Sequence, residues 1–342
     1  MIANRYLIII TIALGLLSSC KNSKPTYVHN TGFVFGTSYN IRYESDSNYH
    51  EEIRAELDKY DQSLSTFNPH STISKINRNE AHHVDSFFTT VWYKAKEMYE
   101  LSGGAFDVTV RDLSAHWRFA KGFMLDTIST EIYDSLANGA KDVLKFVGMN
   151  KVQLQGDSIV KDDPRIQLDM CALAEGYGID IAAQVLEKHG VKNYMVEIGG
   201  ELHLKGISPN GTKWRIGIDA PNENNSIFDR QTQHIIEISD CAISTSGSYR
   251  QYYYTSDGKR ISHTINPITG CPIEHKTLSV SVLGPNTMTT DALATVFMLL
   301  GQEKAIEMAN AMDGVETLII FENDDKQLEE VMTDGFRRVI VK

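Results

Sequence analysis

The sequence predicts an α+β fold, in which mixed sheets pack against helices within one compact domain. Segments with helical and with strand-like periodicity are interspersed, without the strict alternation that a doubly wound parallel sheet requires. No internal repeat or low-complexity block divides the chain. No stretch rich in Pro, Gly or Ser marks a linker after residue 31, and 342 residues are enough for one large domain.

The first twenty residues have the pattern of a bacterial lipoprotein signal. Arg5 gives a positive start, residues 6–17 are apolar, and small residues precede Cys20. The apolar run is shorter than the roughly 20 residues that a membrane-spanning helix needs. We expect a signal peptide over residues 1–19, a lipid on Cys20, a tether over 20–31 and a domain over 32–342. An uncleaved anchor is the alternative, and either one places the body in the cell envelope, on the periplasmic side of a membrane.

Secondary structure is expected in the following order. Residues 33–43 are predicted to form a strand with Gly36 inside it. Helical spacing predicts helices over 51–64, 87–101 and 175–189, the last one ending at Gly190. Short apolar runs predict further strands, which are 151–154, 166–169, 194–198, 214–218, 234–238, 278–283 and 317–321.

Composition argues against a nucleic-acid partner and does not decide whether the cysteines form a disulfide. The chain has 33 basic and 44 acidic residues, a net charge of −11, and no run of Lys or Arg. We therefore expect no nucleic-acid partner. Beyond Cys20, three cysteines follow without a C-x-x-C motif, at Cys171, Cys241 and Cys271. One disulfide with a free thiol and three free thiols are both possible.

Asp291 and Thr295 are candidate metal ligands. They stand four residues apart at the start of an apolar helical stretch, 292–300, so their side chains share a face one turn apart. A carboxylate and a hydroxyl in this arrangement suit Mg²⁺. The alternative is that Asp291 interacts with the helix dipole and Thr295 faces the core.

Residues 262–270 are a candidate phosphate-binding loop. Asn266-Pro and Thr269-Gly are turn signals, and the N–H groups of a tight loop can point at one oxyanion. His263 could orient a phosphate or transfer a proton, or be a structural histidine. Just upstream, Arg250 could bind a carboxylate or phosphate, with a surface ion pair as the alternative.

Two upstream clusters carry further carboxylates. Residues 103–110 place Phe106 and Asp107 just after a helix end, where backbone groups are free to meet a ligand. Asp169 and Glu175 flank a turn that leads into a helix, where they could bind ribose hydroxyls, an adenine amino group or a cation. The alternative is helix capping. No dinucleotide-binding or Walker glycine motif occurs.

Taken in order, these motifs resemble the ApbE family of FAD:protein FMN transferases from about residue 33 to 321. Further marks are Phe-Gly-Thr at 35–37, Ser-Thr-Phe-Asn at 65–68 and Ile-Gly-Gly-Glu at 198–201. The resemblance implies Mg²⁺ on Asp291, Thr295 and the backbone carbonyl of Ala172. It implies an FAD site formed by Phe35, Phe67, Ala105, Phe106, Asp107, Asp169, Glu175 and Ser262. The chain has Glu175 where many relatives have lysine, and Asn266 where aspartate is frequent.

The resemblance also implies a reaction. The FMN part of FAD would pass to a threonine or serine hydroxyl of a partner protein, with release of AMP. Asp291 and His263 are the implied catalytic residues, and either His263 or a carboxylate at the metal would take the hydroxyl proton. The acceptor would be a subunit of a membrane redox complex. An FAD pyrophosphatase that yields FMN and AMP, and a flavin-binding lipoprotein without catalysis, are the alternatives.

Overall fold

The computed structural model describes residues 26–119, 127–221, 231–249 and 251–342. The expected signal peptide, Cys20, the start of the expected tether and Arg250 lie outside the described residues. Among the described helices, none combines the length and the apolar character that crossing a membrane would require.

Helices occur along the whole described chain. They are α1 (His50–Leu64), α2 (Thr72–Asn77), α3 (Ser86–Leu101), α4 (Arg111–His116), α5 (Thr130–Val143), α6 (Cys171–Lys188), α7 (Thr287–Leu300), α8 (Gln302–Asn310) and α9 (Asp334–Val339). The first eight strands are β1 (Tyr27–Val34), β2 (Thr37–Glu44), β3 (Thr127–Ile128), β4 (Val152–Gln155), β5 (Ser158–Lys161), β6 (Tyr194–Ile198), β7 (Glu201–Lys205) and β8 (Trp214–Asp219). The others are β9 (Thr232–Ile238), β10 (Cys241–Gly247), β11 (Tyr252–Thr255), β12 (Arg260–Ser262), β13 (Thr277–Gly284), β14 (Glu316–Glu322) and β15 (Leu328–Met332).

One large antiparallel sheet organises the molecule. Its eight strands follow the order β1-β2-β6-β7-β10-β13-β14-β15. A smaller sheet has the order β12-β11-β3 and contains both antiparallel and parallel pairs. Strands β4 and β5, and strands β8 and β9, form two separate hairpins. The predicted α+β fold with mixed sheets is confirmed.

The middle of the large sheet is covered on both faces. On one face, α7 packs against β10 and β13, while α6 packs against α7 and β7. On the other face, Leu283 and Leu318 share a core with Trp214 and Ile236 of the β8–β9 hairpin and with Phe336 of α9. Every residue of β13 is buried as a result. The two adjacent helices α6 and α7 therefore lie in a rigid setting.

The structure corrects several boundaries. Residues 33–43 form a hairpin, because Phe35 and Gly36 both have positive φ, 54° and 80°, as a tight β-turn of mirror-image type requires. Residues 27–31, expected in the tether, belong to β1. Residues 166–169 are not a strand, since Asn77 holds the backbone of Leu168 through both its N–H and its carbonyl. Helix α6 begins at Cys171, four residues earlier than expected.

Candidate functional site

Helices α6 and α7 pack along each other, and their backbones come especially close at Gly176. The backbone N–H of Gly176 donates a hydrogen bond to Asp291 Oδ2 over 3.1 Å. A Cβ atom at Gly176 would lie 2.5 Å from the Thr287 carbonyl oxygen and 2.9 Å from Asp291 Cβ. Only glycine permits this approach. It fixes the Asp291 carboxylate against the first turns of α6.

Three carboxyl groups meet at this contact, and we call Asp291, Glu201 and Glu175 the acidic centre. Burial raises the pKa of Asp291 to about 8, and the charge of Glu175 contributes to the rise. Burial, followed by the charges of Asp291 and Glu175, raises the pKa of Glu201 well above its usual range. Burial also raises the pKa of Glu175. Among the described residues, the charged groups that shift the first two pKa values most are themselves acidic.

The acidic centre contains negative charge that no nearby positive group of the described residues balances. The Glu201 side chain faces Asp291, and its buried Oε2 has no hydrogen-bond partner among the described residues. Crowded, buried carboxyl groups without a nearby cation repel one another when ionised. A bound proton or a bound divalent cation relieves that repulsion.

The residues expected as metal ligands lie around this centre. Thr295 is one turn after Asp291 on α7, with its Oγ1 3.3 Å from Ser246 Oγ of β10. Ala172 is in the first turn of α6, one turn before Gly176. Within the described part of the chain, no three His, Cys, Asp or Glu side chains are arranged so that they alone could hold a metal ion. A cation here would be completed by hydroxyl, carbonyl and water oxygens, which is the ligand set of Mg²⁺.

A partly open pocket with a cavity volume of about 20 Å³ adjoins the acidic centre. We call it the aromatic pocket. Its lining residues are Phe35, Tyr60, Leu64, Ser65, Thr66, Phe67, Cys171, Ala174 and Glu175. Three of the residues expected to bind FAD are among them. Because Glu175 belongs to both the pocket and the acidic centre, the two adjoin directly.

The turn between β1 and β2 supplies one wall of the aromatic pocket. The Phe35 ring packs edge-on against Tyr60 with the ring centroids 5.3 Å apart. It also covers Gly178 of α6, where a Cβ would lie 2.4 Å from Phe35 Cε2. Phe67 is 49% exposed and lies close to Gly36. One phenylalanine is therefore fixed in the wall, while the other is accessible to solvent.

Asp169 joins the start of α6 to the loop 103–110. Its Oδ1 accepts a hydrogen bond from Cys171 N over 2.9 Å, and its own N–H donates to the Val108 carbonyl over 2.7 Å. Asp169 is not the N-cap of α6, since that position is held by Met170, which makes no side-chain capping bond. Cys171, Cys241 and Cys271 are all free thiols.

The loop 103–110 directs its side chains into the protein. Ala105 and Phe106 are buried. The Asp107 carboxylate accepts hydrogen bonds from Thr109 N and Oγ1, over 2.7 and 2.6 Å, and from Met149 N over 2.8 Å. Burial raises the pKa of Asp107, and these bonds oppose the rise. Asp107 therefore ties the loop to the turn at Met149.

Ser262 is the last residue of β12 in the smaller sheet, and His263 follows it. The buried Ser262 Oγ has no hydrogen-bond partner among the described residues. The backbone N–H of His263 donates to the Gln251 carbonyl over 3.0 Å, and Nδ1 lies 3.2 Å from the same oxygen. Burial lowers the pKa of His263 from 6.5. Within the described residues, no hydrogen bond or ring contact joins His263 to Asp291.

The residues 266–270 form the tight turn that the sequence predicts, and we call it the Asn266 turn. Its N–H groups are satisfied internally. Asn266 Oδ1 accepts from Ile268 N over 2.8 Å and from Thr269 N over 3.3 Å, and the Asn266 carbonyl accepts from Gly270 N. The N–H groups of Ile268, Thr269 and Gly270 are therefore occupied by Asn266 and are not free for an oxyanion. Phosphate binding by the rest of the loop 262–270 stays a prediction.

Three residues near the site were not predicted. Glu201 follows the Gly199-Gly200 turn, and its position at a strand start was the available signal. Tyr60 was seen only as one member of an apolar helix face. Asp180 accepts hydrogen bonds from Thr287 N, Met288 N and His203 Nδ1, each over 2.9 Å, and so anchors the start of α7. Asp180 is five residues after Glu175 on α6, and this spacing does not indicate that the two side chains share a face.

Comparisons with known proteins agree with this architecture. A model of the ApbE family matches residues 35–319. The chain is 35% identical to the FAD:protein FMN transferase of Vibrio cholerae serotype O1, covering 96% of this chain and 97% of that protein. It is 31% identical to the protein of the same name from Escherichia coli strain K12, covering 97% and 96%.

Solved structures give the same result. The flavin transferase ApbE from Vibrio cholerae superposes with a TM-score of 0.79 at 34% identity, covering 92% of this chain and 99% of that one. The apo form of the Pseudomonas stutzeri flavinyl transferase ApbE superposes with a TM-score of 0.78 at 28% identity, covering 94% and 99%. The chain therefore belongs to the ApbE family.

Proposed function

We propose that this protein transfers the FMN part of FAD to a threonine or serine hydroxyl of a partner protein and releases AMP. Family membership supports flavin transfer, because the matched relatives are named FAD:protein FMN transferase. The position of Glu175 carries the proposal, since this residue lines the aromatic pocket and its charge acts on Asp291. The aromatic pocket, which suits a flat ring, therefore adjoins the acidic centre, where a cation could bind the charged pyrophosphate.

Mg²⁺ would be held by the Asp291 carboxylate, the Thr295 hydroxyl and the Ala172 carbonyl. The unpartnered Glu201 oxygen and the raised pKa values of the acidic centre support a cation at this place. When bound, the ion would supply positive charge beside the FAD pyrophosphate and the AMP leaving group. Burial and the charges of Asp291 and Glu175 raise the pKa of Glu201, which favours its protonated form, the form that can donate a hydrogen bond to Asp291.

The chemistry exchanges the phosphoanhydride bond of FAD for a phosphate ester bond to the acceptor. The acceptor hydroxyl oxygen forms a bond to the phosphorus on the FMN side, and the bond from that phosphorus to the bridging oxygen breaks. AMP leaves with the bridging oxygen, and the hydroxyl proton passes to a base. The chain offers His263 and the carboxylates of the acidic centre. His263 is suited to this role because its lowered pKa keeps it neutral, and Nε2 can accept a proton when Nδ1 donates to Gln251.

The acceptor and the location extend the same proposal. A membrane redox subunit with an exposed Thr or Ser motif would be the partner protein. A lipid on Cys20 would hold the enzyme at the periplasmic side of a membrane in the cell envelope, where such a subunit is accessible. The small-residue sequence before Cys20 supports the lipid anchor.

The principal test is removal of the Asp291 carboxylate. Asp291→Ala is expected to lower flavin transfer by about 100-fold or more, because the developing charge loses its fixed counter-ion. Transfer is measured as covalent flavin fluorescence on a denaturing gel after incubation with FAD, Mg²⁺ and the membrane fraction of the source organism.

A matched control is Asp58→Ala, which removes a carboxylate that is 58% exposed on α1 and should leave transfer unchanged. Chelation of Mg²⁺ in the native protein should reproduce the effect of Asp291→Ala. Full transfer by Asp291→Ala, or in the presence of a chelator, contradicts the proposal. Release of free FMN and AMP without a fluorescent protein band assigns the pyrophosphatase activity instead.

A further inference from the structure

Tyr60 is a buried residue of α1 whose hydroxyl has no hydrogen-bond partner among the described residues. Its side chain is only 1% exposed, and the residue lines the aromatic pocket. Nearly all buried polar groups in folded proteins have a partner, because a group that has lost its water contacts otherwise destabilises the fold. The Tyr60 hydroxyl is therefore available to a ligand.

The Tyr60 ring is held by three aromatic neighbours. Its centroid lies 5.3 Å from Phe35, 5.6 Å from Phe87 and 5.4 Å from Tyr177, and each pair is arranged edge to face. This arrangement is the favourable one for aromatic rings. The packing fixes the direction of the phenolic C–O bond, so the hydroxyl cannot turn to bulk water without breaking these contacts.

The groups that act on the Tyr60 hydroxyl include Cys171 and Tyr177 of α6 and Asp291 of the acidic centre. Burial raises the pKa of Tyr60 well above its usual range, and the neighbouring Tyr177, Asp291 and Cys171 raise it further. The phenol therefore keeps its proton at every physiological pH. It is a neutral hydrogen-bond donor at the boundary between the apolar walls and the acidic groups.

We propose that the Tyr60 hydroxyl donates a hydrogen bond to a ring heteroatom of FAD bound in the aromatic pocket. The inference rests on the proposed function. Phe35 and Phe67 make the pocket suitable for a flat ring, and both ring systems of FAD, isoalloxazine and adenine, carry acceptor atoms on their edges. Tyr60 thus selects a ring that has an acceptor at the correct edge.

The test is Tyr60→Phe, which removes one oxygen atom and keeps the ring packing. The Kd for FAD, measured by quenching of flavin fluorescence, should rise about 3- to 10-fold with the loss of one hydrogen bond. The urea unfolding midpoint of the ligand-free protein should stay the same or rise, because an unpaired buried hydroxyl has been removed.

Tyr43→Phe is the matched control in another core. The Tyr43 hydroxyl donates to Asn30 and Asn48 and accepts from Tyr49 N. Its loss should lower the unfolding midpoint and leave the Kd for FAD unchanged. The two variants should therefore show opposite patterns of binding and stability.

Riboflavin and AMP identify the ring that is bound. A weaker Kd of Tyr60→Phe for riboflavin supports the hydrogen bond to isoalloxazine, and a weaker Kd for AMP supports the bond to adenine. The inference is overturned if Tyr60→Phe binds FAD as tightly as the native protein. It is also overturned if the variant loses as much ligand-free stability as Tyr43→Phe. Failure of the native protein to bind FAD contradicts the proposed function instead.

Discussion

The acidic centre and the Asn266 turn both concentrate polar groups, yet the protein satisfies only the second. In the Asn266 turn, one asparagine accepts hydrogen bonds from two backbone N–H groups and its carbonyl accepts a third. In the acidic centre, buried carboxyl groups face one another and Glu201 Oε2 has no partner among the described residues. A polar cluster whose groups all have hydrogen-bond partners stabilises the fold. A buried cluster with groups that lack a partner can bind a ligand that supplies one.

The largest effect is expected from a substitution that disrupts the contact between α6 and α7 at Gly176. Gly176→Ala places a methyl group 2.5 Å from the Thr287 carbonyl oxygen. We expect a loss of about 1–3 kcal/mol in the free energy of unfolding. Flavin transfer should fall about 100-fold as Asp291 is displaced. Urea unfolding and the gel assay measure the two effects.

Gly217→Ala is the control for this substitution. Its Cβ would meet only Thr232 atoms at 3.5 and 3.6 Å, an ordinary contact distance. Stability and transfer should change little. If Gly176→Ala behaves in the same way, the helix contact does not position Asp291.

An intermediate effect is expected from pH. In the metal-free protein the pKa of Asp291 is raised from 3.8 to about 8, so between these values the folded state binds a proton that the unfolded chain releases. Stability of the metal-free protein should therefore fall as pH rises across that interval. Mg²⁺ replaces this proton, so it should raise the unfolding midpoint more at about pH 8 than at about pH 5.

Asp291→Asn sharpens this measurement. The amide does not titrate, so the part of the pH dependence that comes from Asp291 and most of the Mg²⁺ effect should disappear, while the contributions of Glu201 and Glu175 remain. A native protein whose midpoint responds equally to Mg²⁺ at both pH values would show that the acidic centre is not where the ion binds.

The smallest effect is expected at the Asn266 turn. Asn266→Ala removes the acceptor of two hydrogen bonds and should cost about 1–2 kcal/mol of stability. The Kd for FAD should change less than about 3-fold. Asn266→Asp keeps the acceptor and should restore stability. If Asn266→Ala stays folded but loses FAD binding, then the Asn266 turn also contributes to ligand binding, and it does not differ from the acidic centre in this respect.

Local signals account for what the sequence predicted well. Helix α3 is bounded by Asp85, which caps Phe88 N, and by the Gly103-Gly104 pair after its last turn, so its limits follow from nearby residues. The pairing of Asp291 and Thr295 on one helix follows from their spacing. The resemblance to the ApbE family predicted that Asp291 and Thr295 lie close to Glu175.

Long-range packing accounts for what the sequence did not predict. The hairpin at Phe35 needs a positive φ at a bulky residue, and the packing of that ring on Gly178 and Tyr60 compensates for it. Glu201 and Tyr60 became visible only through burial, because neither residue type nor periodicity reveals which polar atoms lack a partner. The closed Asn266 turn depends on the orientation of one side chain.

The wall that Phe35 provides has a consequence for how the protein is made. The aromatic pocket joins a residue from the first hairpin to α6, and the acidic centre then requires Asp291 of α7. During synthesis the pocket wall leaves the ribosome early, α6 follows after more than a third of the chain, and α7 follows only after more than half of the chain has been made. A polypeptide that is truncated before residue 295 therefore lacks part of the site. Flavin binding would report that translation has passed this point and that the first hairpin has packed against α6.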